Sequence, residues 1–118
     1  MTIIKKGDKS MDAKPERRMS QRVVINASVK VKFKRDFFFS VARDISTSGI
    51  FLETSKVLAR GDKIACSFVL QYKIDAAGEV VRAMKKSPDL YHYGVRFPDL
   101  DPKARAQIQE VVKGQRRQ

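Results

Sequence analysis

The chain has 118 residues, a formal net charge of +12, 42% hydrophobic residues and 32% charged residues. That length holds one ordinary domain with a core and falls short of two. The charge asks for an anionic partner, whether nucleotide, nucleic acid, acidic protein or membrane surface. A single cysteine, Cys66, excludes an intrachain disulfide, and its place in an alternating apolar run makes it a core residue. No apolar run is long enough to span a bilayer or to serve as the core of a signal peptide. The expected location is therefore cytoplasmic, with any membrane reached through a partner or through charge.

Residues 1–15 are polar, carry no period and read as a flexible tail. From Val23 the pattern changes. Val23, Ile25, Ala27, Val29, Val31 and Phe33 alternate with mostly polar residues, which is the period of a half-buried strand. Lys34-Arg35-Asp36 is a charged turn. A second strand follows, on which Phe37, Phe39, Val41 and Ile45 are expected to continue the inward set. Thr47-Ser48-Gly49 is the next turn, and Ile50 to Thr54 a short third strand.

Arg60-Gly61-Asp62 turns the chain into a fourth strand, where Ile64, Cys66, Phe68 and Leu70 alternate. Ala76 to Met84 read as a fifth, in which Gly78 is expected to mark a bulge. Lys85 to Asp89 read as a loop. Tyr91, Tyr93, Val95 and Phe97 form a sixth strand, with His92 and Arg96 on its opposite face.

The period then changes to that of a helix. Asp101 suits the N-cap, and Pro102 the first helical position. Ala104, Ile108, Val111 and Val112 share one face, Lys113 sits favourably at the negative end of the helix dipole, and Gly114 is expected to cap the end. Residues 114–118 then form a basic C-terminal tail. Six short antiparallel strands and one terminal helix predict a mainly β protein: a small closed or nearly closed barrel with a helix packed over it.

Two short motifs stand about one hairpin apart. Arg18 and Arg22 form Arg-x-x-x-Arg in a basic segment, and Asp44, Ser46 and Gly49 form Asp-x-Ser-x-x-Gly. Alone, the first fits a solvated basic linker and the second an Asx-turn leaving a strand. In this order, followed by Ile50-Phe51-Leu52 and by Tyr93 to Phe97, they resemble the signature of PilZ domains, bacterial receptor modules for cyclic di-GMP. The resemblance covers residues 16–113 and implies a six-stranded split β-barrel followed by a helix, in agreement with the periodicity.

The resemblance also implies roles. Arg18 and Arg22 would clamp guanine and phosphate, Asp44 and Ser46 would hold the base edge, and Gly49 would keep the turn tight and open. The chemistry suits these residue types. An arginine fork gives parallel hydrogen bonds to phosphate or to guanine O6 and N7, and a carboxylate accepts from guanine N1–H and N2–H₂. The residue before the arginine motif, Arg17, is associated in PilZ domains with ligand number, and a guanidinium there implies two cyclic di-GMP molecules per chain. Arg96 is a further candidate contact.

The expected function is a non-enzymatic cyclic di-GMP receptor or adaptor that signals to a protein effector, with outputs of the motility, polysaccharide or virulence kind. No catalytic triad or metal-ligand spacing is present, and His92 is the only histidine. No cofactor or metal is expected. Two alternatives stay open: a small-barrel nucleic-acid binder, and a PilZ-like protein acting only by protein contacts. Nucleic acid is not the expected partner, because only Phe38 and Phe51 read as outward stacking platforms.

Overall fold

The computed structural model describes residues 21–116. The expected tail over residues 1–15, together with Arg17 and Arg18, lies outside the described residues. Six strands run as β1 (Val23–Phe33), β2 (Asp36–Ile45), β3 (Gly49–Thr54), β4 (Lys63–Val69), β5 (Lys73–Ser87) and β6 (Leu90–Arg96). All pairings are antiparallel, and the sheet closes into a barrel in the order β1-β2-β3-β6-β5-β4. One helix, α1 (Pro102–Arg116), follows and packs against β1 and β5.

The core is what alternation supplies. Val29, Val31, Ile50, Leu52, Ile64, Cys66, Phe68, Ile74, Val80, Tyr93 and Val95 are buried within the closed sheet. Ala104, Ile108, Val111 and Val112 bury the apolar face of α1. The Cys66 thiol is pushed up to about 12 by burial, so it stays protonated and inert. Tyr93 keeps its hydroxyl satisfied inside: it donates to the Lys56 carbonyl at 2.7 Å and accepts from Leu58 N–H at 2.8 Å. Those bonds tie the loop after β3 to the barrel wall. Asp101 caps α1, its carboxylate accepting from Ala104 N–H at 3.4 Å.

Four expectations are corrected. On β2 the inward residues are Phe38, Ser40, Ala42 and Ile45, while Phe37 and Phe39 are 58% and 63% exposed and Val41 lies at the surface. Three consecutive phenylalanines carry no parity of their own, and a bulge between Ala42 and Asp44 shifts the phase before Ile45. Phe38 is therefore not the outward platform. Gly78 lies in continuous register opposite Ile64, and the register of β5 shifts instead between Val80 and Arg82 and again between Lys85 and Ser87. Residues 85–87 extend β5, leaving only Pro88 and Asp89 as the turn. Finally, α1 continues through Gly114 instead of ending there.

Candidate functional site

The two motifs meet through the β1–β2 pairing. Val24 pairs with Asp44 and Val23 with Ile45, so Arg22, just before β1, arrives beside the end of β2. Its Nε donates to Asp44 Oδ1 at 2.7 Å, and its Nη1 reaches Ser46 Oγ at 3.4 Å. The β2 bulge turns both Arg43 and Asp44 away from the core, which is what makes the carboxylate available. Arg22, whose motif alone fits a solvated basic linker, is docked on the barrel.

Ser46 is fully buried. Its Oγ accepts from Ser48 N–H at 3.1 Å and lies 2.8 Å from Ser48 Oγ. With its lone pairs facing Ser48 N–H and Arg22, its own proton is directed at Ser48 Oγ. The Ser46 side chain thus braces the turn and orients Arg22, and the serine that lines the open surface is Ser48.

Gly49 is required for a different reason from the expected openness. A Cβ there would collide with the Val95 backbone carbonyl. Gly49 pairs with Arg96, and Phe97 N–H donates to the Ser48 carbonyl at 2.9 Å, so β3 is pressed against β6 at its first residue. The glycine lets two backbones close the barrel there.

These residues edge a groove of about 450 Å³ on the outer surface. Gly49, Phe51 and Gly94 lie along it, and Arg22, Arg82 and Arg96 surround it with Asp44. Arg96 is held by Glu79, Nη2 to Oε1 at 2.7 Å. The sequence reading named Arg96 but missed Arg82, Gly94 and Ser48. The β5 bulge places Arg82 opposite Gly94, whose missing side chain leaves room for it: a Cβ at Gly94 would stand 3.3 Å from Arg82 Cβ. The available signal was the break in alternation at Val80-Val81-Arg82 beside Tyr93-Gly94-Val95.

Beside the groove, Glu53 bridges two partners. Arg43 Nε donates to its Oε1 at 2.8 Å, and His92 Nε2 lies 2.9 Å from its Oε2. The His92 hydrogen bond, then that from Arg43, hold the Glu53 carboxyl below its ordinary value. His92 also stands edge-on to Phe51, with ring centroids 5.1 Å apart, and so fixes that ring beside the groove. Among the described residues, no group of His, Cys, Asp and Glu side chains could hold a metal ion.

Comparison with known proteins agrees with this architecture. The fold is similar to that of Bacillus subtilis MotI/DgrA, an inhibitor of motility (TM-score 0.72, 14% identity, 86% of this chain and 52% of that one). The present chain thus spans about half the length of that protein. It is also similar to the PilZ domain of Escherichia coli YcgR with c-di-GMP (TM-score 0.69, 16% identity, 86% and 92% coverage). A third similar structure is Borreliella burgdorferi PlzA in complex with c-di-GMP (TM-score 0.59, 14% identity, 80% and 40% coverage). No curated protein sequence matches the chain. The PilZ domain model matches residues 16–114, and the chain belongs to the PilZ domain family.

Proposed function

We propose that this protein is a cyclic di-GMP receptor that binds the dinucleotide in the groove edged by Arg22 and Asp44. The observation that carries this reading is the 2.7 Å contact between them, since it joins the two motifs at one open surface. The similar YcgR and PlzA structures, both with c-di-GMP, support the ligand class. In this reading Arg22 and Arg18 clamp phosphate and guanine from the N-terminal side. Asp44 accepts from guanine N1–H and N2–H₂ once Arg22 turns to the ligand. Ser46 positions Arg22, Gly49 holds the β3–β6 contact, and Arg96 and Arg82 contribute charge from β6 and β5.

The energetics are sufficient. A hydrogen bond to a charged group contributes about 1.5–3 kcal/mol, and micromolar binding needs about 8 kcal/mol. Several such bonds reach that figure after the ordering cost of the arginine segment. Guanidinium planes also stack on bases, which an ammonium does not do. Binding and release are the whole activity: the protein is an adaptor without catalysis, cytoplasmic, signalling to a protein effector. Among the described residues no helix is long and apolar enough to cross a membrane.

The domain proper is residues 16–113, and Arg17 sets the stoichiometry at two ligands per chain by offsetting repulsion between neighbouring phosphates. Calorimetry of the intact protein with cyclic di-GMP is the test. Saturable binding with a ratio near two, falling toward one in Arg17→Leu, is expected. No heat of binding ends the receptor reading, and a ratio of one in the intact protein ends the role given to Arg17 alone.

A further inference from the structure

A second surface, away from the groove, combines exposed apolar rings with lysines. The β1–β2 hairpin turns at Lys34 and Arg35, and Phe37 and Phe39 stand outward on its second strand, 58% and 63% exposed. Their cross-strand partners are Lys32 and Lys30. Lys30 Nζ lies 4.5 Å from the Phe37 ring centre, and Lys34 Nζ 5.1 Å from that of Phe33. Pairing of β2 with β3 begins only at Val41, so this end of the hairpin carries β2 as an edge without a β3 neighbour. Phe37 is seven residues along β2 from Asp44, about 20 Å at the rise of an extended strand. The two surfaces are separate.

The chemistry of this end narrows what it can meet. Phenylalanine has no polar atom, so an exposed pair gains by leaving water and has no hydrogen bond to lose. Protein interfaces favour arginine and are poor in lysine, whereas this tip presents Lys30, Lys32 and Lys34 with one arginine, Arg35. Long lysine stems keep their ammonium groups at a wet, charged boundary while apolar neighbours go deeper. The rings are poorly disposed as base platforms: one face of Phe37 is under Lys30, and its contact with Phe39 is edge-on, with centroids 6.2 Å apart and planes at 88°. Charge complementarity then favours a surface that is anionic, laterally fluid and apolar beneath.

We infer that the β1–β2 hairpin tip is a peripheral docking site for an anionic phospholipid surface, with Phe37 and Phe39 entering the headgroup–acyl boundary and Lys30, Lys32, Lys34 and Arg35 facing the lipid phosphates. Both parts are needed, since weak apolar insertion and weak electrostatic attraction hold a peripheral protein only together. The site is independent of dinucleotide binding. It would bring the groove to the membrane without any spanning segment.

The sequence contains no tryptophan, so Phe39→Trp introduces a single indole reporter. The intact protein is mixed with vesicles of phosphatidylglycerol and phosphatidylethanolamine in equal parts, and separately with phosphatidylcholine vesicles. Expected are co-sedimentation with the anionic vesicles only, a blue shift of the indole, and quenching by brominated acyl chains. Phe37→Ser with Phe39→Ser should weaken anionic-vesicle binding at least tenfold, with an unchanged circular dichroism spectrum. Lys30→Glu with Lys32→Glu should do the same.

Absence of binding to anionic vesicles overturns the proposal. So does binding that leaves the indole in water or survives loss of both phenylalanines, because charge elsewhere on the chain then accounts for it. A labelled single-stranded oligonucleotide that binds in a Phe37- and Phe39-dependent way, while vesicles do not, assigns the tip to nucleic acid instead.

Discussion

The groove and the hairpin tip are both basic, but they hold their charge differently. In the groove, two of the three guanidinium groups are tied to carboxylates: Arg22 to Asp44 and Arg96 to Glu79, each at 2.7 Å. At the tip, ammonium groups lie over aromatic rings, as Lys30 does over Phe37. A planar fork held by a fixed acid presents its remaining donors in one direction. An ammonium on a four-carbon stem presents a charge without a fixed direction. The first arrangement suits a ligand of one shape, and the second suits a partner with no fixed positions. Net charge alone does not separate the two cases; the partners of each cation do.

The comparison can be broken most severely at the frame of the groove. Gly49→Ala should cost about 1–3 kcal/mol of stability, as overpacking does, because its Cβ meets the Val95 carbonyl. Urea denaturation checks this, and an unchanged midpoint would mean that β3 and β6 part without cost. The next largest effect concerns the fork itself. Arg22→Ala should lower cyclic di-GMP affinity at least tenfold, about 1.4 kcal/mol, without unfolding the barrel, since the residue lies at the surface before β1. Arg22→Lys should also fail, because charge without planarity does not replace the fork. Wild-type affinity in Arg22→Lys would make the groove no different in kind from the tip.

Asp44→Ala sharpens the contrast by ligand. It should weaken cyclic di-GMP binding more than binding of the corresponding adenine dinucleotide, since adenine lacks the N1–H and N2–H₂ donors the carboxylate would accept. Equal losses in parallel titrations would leave Asp44 as the anchor of Arg22 alone.

The smallest expected effect is an acid-side pH dependence at Glu53. Hydrogen bonds from His92 and Arg43 lower its carboxyl in the folded state. Its contribution to stability is therefore present above the ordinary carboxylate range and is lost as pH falls through the lowered folded value. Glu53→Gln should flatten that part of the stability profile slightly, the pair being solvent-screened. A profile identical to the wild type would show that the bridge adds nothing.

Much of the fold is local information. Alternation in β1, β4 and β6 is a property of the chain, because side chains of an extended strand take opposite faces in turn. The change of period after Asp101, with a proline at the first helical position, likewise marks α1 without help from the rest of the chain. Even the meeting of Arg22 with Asp44 is nearly dictated by order: a hairpin folding about Lys34 and Arg35 returns the end of β2 to the start of β1.

Tertiary structure decided what a period of two cannot carry. Bulges on β2 and β5 shift parity by one residue, and they are fixed by pairing with neighbouring strands instead of by local composition. They turned Phe37 and Phe39 outward, freed Asp44, and aimed Arg82 across Gly94. Closure of β3 against β6 set the reason for Gly49, and the packing of the turn before it drew Ser46 inside and left Ser48 at the surface. The sequence thus named the chemistry of the groove. Which side chains face the groove, and which face away from it, followed from strands far apart in the chain closing one barrel.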